Sequence, residues 1–222
     1  MLTMQTEEFL NAIRNNENQK VVELLKKEPS LANARHESGV SAIFLALYRG
    51  NMEIVREIAS RKSLDIFEAA ATGDLDRVKK LVDSDKSLVA SKSPDGFTAL
   101  ALASYLGQKG TAEYLIRNGA DPNAVATDGS GFTPLTGAVS QNHNDVAKLL
   151  IQNGANVNYK YEGGFTPLMH AAAAGNVELV KILLEGGADP NARNGEGKTP
   201  LSFASENKHQ NVVELLKKHG AA

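Results

Sequence analysis

The chain repeats itself, and a repeat restricts a fold more tightly than any local preference does. GFTPLMHAAAAGNVELV at residues 164–180 has counterparts in GFTPLTGAVSQNHNDVA, which starts at Gly131, and in GKTPLSFASENKHQNVV, which starts at Gly197. The residue after the Pro of each TPL, or its equivalent, serves as an anchor. These anchors are Phe9, Ile43, Ile66, Leu100, Leu135, Leu168 and Leu201, spaced by 34, 23, 34, 35, 33 and 33 residues. A near-constant period of that length marks a solenoid, whose units bury their apolar faces only against their neighbours. Seven units fill the chain.

Each unit reads as two helices. Three and four residues after the anchor stand Ala12 and Ile13, Ala46 and Leu47, Ala69 and Ala70, Ala103 and Ser104, Ala138 and Val139, Ala171 and Ala172, and Ala204 and Ser205. These mark one face of a short inner helix. Gly50, Gly73, Gly107 and Gly175, with Asn142 in the same role, end that helix by allowing a left-handed residue. A longer amphipathic helix follows, as in Ile54, Val55, Ile58 and Ala59 or Leu179, Val180, Leu183 and Leu184. NGADPN at 118–123, NGANVN at 153–158 and GGADPN at 186–191 close it with a capping Gly and a polar loop. Thr133, Thr166 and Thr199 stand at N-cap positions, each followed by a Pro suited to a first helical turn. Alanine at the stacking positions sets a short distance between units, so a bulkier residue there overpacks, at a cost of about 1–3 kcal/mol.

These units resemble ankyrin repeats, whose consensus reads G-x-T-P-L-H-x-A-A-x-x-G and then a second apolar helix ending in L-L-x-x-G-A-D-x-N-A. The resemblance covers essentially the whole chain and is strongest over residues 94–219. It implies an all-α solenoid of stacked helix-turn-helix units with β-hairpin finger loops, forming one array over residues 1–222. Approximate repeats are 1–35, 36–60, 61–93, 94–127, 128–160, 161–193 and 194–222. It further implies a non-enzymatic scaffold that holds a partner protein in its concave groove and against its fingers.

The sequence departs from the family pattern in several places. The His after TPL is replaced by Phe44, Phe67, Ala101, Thr136, Met169 and Ser202, so the network it anchors between loops is not expected. The second unit is ten residues short, and SRKSLD at 60–65 replaces both closing loop and finger. A notch, a change of curvature or a subdomain boundary is expected there. EPSLAN at 28–33 and DKSLVA at 85–90 replace GADPN, and DGSG at 128–131 lengthens one finger by two residues. VVELLKK occurs in both the first and the last unit, with charges flanking apolar pairs, as solenoid ends require; on this pattern the array is expected to be capped at both ends.

Other function classes find less support. The formal charge of -2, without blocks of like charge, argues against nucleic acid. The first twenty residues lack the pattern of a secretory leader, and no apolar run is of membrane-spanning length; a cytoplasmic protein with no membrane partner is expected. With no cysteine, disulfides and thiolate metal sites are excluded. His36, His143, His170, His209 and His219 fall at unrelated positions, and HExxH, GxSxG and GxxxxGK[ST] are absent. His143 and His170 could approach each other across neighbouring inner helices, but as groove or surface residues with no shared task. No catalytic residue, metal or cofactor is expected.

The binding candidates lie along the fingers and inner helices. The residue after the finger glycine is Val40, Phe97, Phe132, Phe165 or Lys198, which places Phe97, Phe132 and Phe165 in an aromatic row. Two readings stand side by side: an exposed apolar patch for a partner, or rings packed on the next loop to stabilise the array. Beside them run Arg35, Lys92, Lys160 and Arg193, interrupted by Val125. This basic column favours a partner that is acidic and partly apolar, or else it keeps the fingertips solvated. Tyr48 and Tyr105 are the best inner-helix anchors, since a phenol offers area and a hydrogen bond at low entropic cost; packing beneath the vacant finger is the other reading. A monomer is expected, with a self-associating structural scaffold as the alternative function.

Overall fold

The computed structural model of the chain describes residues 3–222. Among them lie fourteen α-helices and no β-sheet. They pack as seven consecutive pairs: α1 (Met4–Arg14) with α2 (Asn18–Lys27), α3 (Ala42–Tyr48) with α4 (Met52–Ala59), α5 (Ile66–Thr72) with α6 (Leu75–Ser84), α7 (Ala99–Tyr105) with α8 (Lys109–Arg117), α9 (Pro134–Ser140) with α10 (Asn144–Gln152), α11 (Pro167–Ala174) with α12 (Val177–Glu185), and α13 (Pro200–Glu206) with α14 (Gln210–Lys218). One apolar core runs the length of the stack, from Phe9 to Leu216. The all-α solenoid expected from the repeat is therefore the observed fold. No helix among the described residues is long and apolar enough to cross a membrane.

The helix ends follow the repeated residues. The hydroxyls of Thr133, Thr166 and Thr199 accept from the backbone N–H three residues on, at 3.3, 3.3 and 3.2 Å. Thr98 caps α7 in the same way at 3.1 Å. Between the helices of each pair a left-handed residue turns the chain, and the glycine positions tolerate nothing larger where units meet closely. A Cβ on Gly107 would lie 2.6 Å from the His143 ring. Two non-glycine residues not foreseen in this role, Asn16 and Lys208, adopt the same conformation with φ of 56° and 60°.

The residue four after each anchor tracks how closely successive inner helices run. Where it is Ala70, Ser104 or Ala172, α5 and α7, α7 and α9, and α11 and α13 share the longest stretches of close backbone approach. Where it is Ile13 or Val139, the stretch is shorter. Where it is Leu47, α3 and α5 have almost none, and α4 and α6 stand apart as well. A γ-branched side chain between two helices holds their backbones apart, and a methyl lets them close.

The shortened unit thus produces a seam between α4 and α5. Side chains fill it: Leu64 is buried, and the Lys62 ammonium meets the Glu68 carboxylate at 2.8 Å, both out of solvent. Glu68 also accepts from the Asp65 N–H, completing a reciprocal N-cap with Asp65. Arg77 reaches back to the Leu64 carbonyl at 2.9 Å, and Arg35 crosses to Asp65 at 3.2 Å. On the finger side the gap closes, because Gly39 of one finger lies against Pro94 of the next.

The fingers themselves carry no strand ladder. Each of three is a turn closed by one antiparallel bridge, Arg35 with Ser41, Lys92 with Thr98 and Tyr161 with Phe165. Successive units are joined by repeated polar staples. Asn123, Asn158 and Asn191 each donate to a glycine carbonyl of the next unit and accept an N–H from it, at 2.8–3.0 Å. Asn51 bonds both Asn16 and Asn18, as Asn176 bonds Asn142 and Asn144.

Candidate partner-binding groove

Between the fingers and the inner helices lies an apolar cavity of about 210 Å³. Its walls are the rings of Tyr48, Phe97, Tyr105 and Phe132, and its floor is Ala101, Leu102, Thr133 and Gly137. Four of the candidate site residues therefore meet in one place, although they come from three units. Tyr48 reaches it across the seam from the end of α3 and stays 47% exposed, so one wall is open to solvent. The two Phe rings and Tyr105 are half-buried.

The floor has a residue that sequence reasoning passed over. Two residues after the anchor the chain places Leu45, Glu68, Leu102, His170 and Phe203, but in α9 it places Gly137. Glycine inside a helix costs about 1 kcal/mol relative to alanine. Here the missing side chain opens the space below Tyr105, whose Cβ is 3.5 Å from where a Gly137 Cβ would lie. A single small residue at a column of large ones was the available signal.

Two carboxylates stand at the mouth. Gly96 packs on the backbone of the neighbouring fingertip, and the Thr127 N–H donates to its carbonyl at 3.1 Å. This docking brings the adjacent tips, with Asp95 and Asp128, side by side. One oxygen of Asp95 accepts from the Ser93 hydroxyl, and one of Asp128 accepts from Ser130 N–H and hydroxyl at 3.0 and 2.6 Å. The Tyr48 phenol is held above its ordinary pKa first by burial and then by the negative charges of Asp95 and Asp128 with the Tyr105 phenol beside them. Among the described residues neither aspartate has a cationic partner.

Phe165 is placed elsewhere. Its ring lies 5.3 Å from Phe203 and 6.4 Å from Tyr161, and Tyr161 in turn lies 5.7 Å from Phe132 and 6.0 Å from His170. Lys198 sits 5.7 Å above Phe203 and pairs with Glu206 at 2.9 Å. The three-membered Phe row is thus two arrangements, an open cavity at Phe97 and Phe132 and a stack of rings from Phe132 to Phe203. Aromatic pairs at such distances contribute about 0.5–1.5 kcal/mol each. Burial raises the Tyr161 pKa and lowers that of His170.

The basic column is tied to the fingers. Lys92 donates to the Val125 carbonyl at 2.9 Å and Lys160 to the Arg193 carbonyl at 3.1 Å, each joining one finger to the next. Arg193 and Arg35 donate to the carbonyls of Gly197 and Gly39 in their own turns. All four stay exposed, and Arg35 also carries an ion pair with Asp65. His143 and His209 are not groove residues. Their rings reach the Tyr105 and Ala173 carbonyls of the preceding unit, at 3.1 and 3.0 Å, so they share a stapling task that their sequence positions concealed. His170 is on the inner face, its ring tilted against that of Tyr161, and the two histidines are not brought together.

Comparison with known proteins agrees with this geometry. Family models described as ankyrin repeats match residues 66–161 (three copies), 150–204 (many copies) and 196–222. The chain belongs to the ankyrin-repeat family. Relatives include the rat ankyrin repeat and SAM domain-containing protein 6, 31% identical over 52% of this chain and 14% of that protein. The human DNA-binding protein RFXANK is 38% identical over 36% of this chain and 30% of its own length. The Dictyostelium discoideum 26S proteasome non-ATPase regulatory subunit 10 is 39% identical over 40% of this chain and 38% of its own. The alignments thus span well under half of each relative, and what they share with this ankyrin array is the repeat. Ankyrin repeats are in general protein–protein interaction units.

Proposed function

We propose that this chain is a non-enzymatic module that binds a partner protein through its concave groove and finger loops, with the array 1–222 acting as one monomeric, cytoplasmic scaffold. The cavity lined by Tyr48, Phe97, Tyr105 and Phe132 carries the reading. A well-packed array has no need to leave four aromatic rings around an open space, whereas such a space is how interfaces anchor a partner side chain. Charge adds a second element. Lys92, Lys160 and Arg193 have no ion pair among the described residues and would draw an acidic stretch of the partner along the finger bases. Phe165 belongs to the rim of this surface through its stack on Phe203.

Affinity capture from the cell of origin tests the reading. The wild-type chain is compared with Tyr48→Ser/Phe97→Ser and with Lys148→Ser on the outer helix α10, after melts confirm that each remains folded. A partner kept by wild type and Lys148→Ser but lost by the groove variant is the expected result. Retention by a folded groove variant would overturn it. Sedimentation across a hundredfold concentration range separates the self-associating scaffold, which would gain mass as the monomer does not.

A further inference from the structure

Building on the groove as the binding face, we propose that its aromatic cavity is a receptor for an arginine side chain projecting from the partner. Two observations converge on that occupant. Four rings, Tyr48, Phe97, Tyr105 and Phe132, surround the space and leave one wall open. A cation over aromatic faces is attracted by their quadrupoles, most strongly where water is partly excluded. Two carboxylates, Asp95 and Asp128, are held by their own turns on adjacent fingertips that dock through Gly96 beside the cavity.

A cation seated in the cavity is drawn by both negative charges, neither of which has a cationic partner among the described residues. Arginine suits this site better than lysine. Its guanidinium is planar, weakly hydrated and able to stack on rings while its fork of donors meets carboxylates, whereas an ammonium is a compact and strongly hydrated point charge. The acidic stretch expected at the finger bases and the arginine expected in the cavity lie at different places on the groove, so one partner segment can supply both.

The test uses the full chain, labelled with nitrogen-15, and small probes rather than an unidentified partner. N-acetyl-arginine N-methylamide is titrated while backbone amide shifts are followed, and the citrulline, lysine and leucine analogues are titrated alongside. Citrulline keeps the shape and hydrogen bonds of arginine and removes its charge. The expected result is saturable shifts at Gly96, Ala101 and Gly137 with arginine, about tenfold weaker binding of citrulline, intermediate binding of lysine, and weakening by salt. Asp95→Asn/Asp128→Asn should abolish the difference between arginine and citrulline while melting like wild type. Phe97→Leu, which keeps apolar volume, should weaken arginine and leave leucine little changed. Equal binding of arginine and citrulline, preference for leucine, or no saturable shift with arginine would each overturn the proposal. Preference for leucine leaves the groove itself standing as an apolar anchor site, and so separates failure of the arginine receptor from failure of the partner-binding reading.

Discussion

The two sides of the seam are joined by different devices. On the C-terminal side, α7 to α14 are held by close-set small residues at Ser104 and Ala172, with Val139 spacing the one junction between them, and by a loop asparagine repeated at 123, 158 and 191, each tied twice to the next unit. On the N-terminal side, that loop staple is missing. A short 3-10 turn at Pro29–Asn33 stands in its place, Ile13 and Leu47 space the helices, and a buried ion pair bridges to the rest. The family models match from Ile66 onward, the first residue of α5 beyond the seam. Regular staples let a unit depend on its neighbours in a uniform way, and an irregular junction makes the array's cohesion depend on a few particular side chains. The cavity lies against this junction, since Tyr48 comes from one side of the seam and its other walls from the other.

The comparison breaks hardest at Lys62. Removing one member of a buried ion pair leaves the other as an uncompensated charge, so Lys62→Met should cost about 3–5 kcal/mol. Lys62→Met/Glu68→Met should recover most of that, because the cost belongs to the orphaned carboxylate more than to the pair. Urea unfolding of both variants measures it. A loss below 1 kcal/mol in the single variant would mean that Glu68 is solvated and that the seam is held by apolar contacts alone. In native-state hydrogen exchange, α1 to α4 of the single variant should open ahead of α7 to α14.

A bulky residue on the regular side should make it resemble the seam. Ala172→Leu places there the side chain that separates α3 from α5, and overpacking should cost about 1–3 kcal/mol. Ala46, three residues after its anchor rather than four, is buried among the same kind of neighbours but lies beside Leu47, where the helices already stand apart. Ala46→Val should therefore cost less than Ala171→Val, and thermal melts of the pair read the difference. Equal losses would show that the fourth-position residue does not set the spacing.

Much of this was legible in the sequence, and the parts that were not share a cause. The helix pairs, the Thr caps and the alanine stacking follow from a period and from residues whose backbone preferences are local. Tyr48, Phe97, Tyr105 and Phe132 were legible as individual candidates because each falls at a groove position of its unit. That three of them belong with Tyr48 and not with Phe165 was hidden, because it depends on how far apart neighbouring units stand. The inter-unit roles of His143 and His209 were hidden for the same reason: the partner is a carbonyl some 36–38 residues away. Asp95 and Asp128 were not singled out, because only the contact between fingers brings their two tips next to each other.

Gly137 offers a gain where the earlier substitutions lose. A methyl group there meets Tyr105 at ordinary contact distance, so Gly137→Ala should raise stability by about 0.5–1 kcal/mol through helix propensity. The same methyl enters the cavity floor, so binding of the arginine probe should weaken as the melting temperature rises. A drop in melting temperature would mean that the glycine is needed for packing of α9, and the cavity would then be a by-product of that packing.

The smallest effect concerns pH and belongs to the regular side alone. Burial lowers the His170 pKa in the folded chain, so the unfolded state takes up a proton at a higher pH than the folded state does. Stability from the neutral imidazole is therefore complete above the unfolded pKa of about 6.5 and is lost as pH falls below it. His170→Phe keeps a ring against Tyr161 and removes the titration. The difference in melting temperature between wild type and this variant should stay constant from pH 8 to 7 and shift in favour of the variant between pH 6.5 and 5. Hydrogen exchange at pH 5.5 should locate the wild-type loss in α11 and α13, with α1 to α4 unaffected. A loss shared equally by α1 to α4 would mean that the seam transmits the effect of one ring, and that the two sides unfold as a single unit despite their different staples.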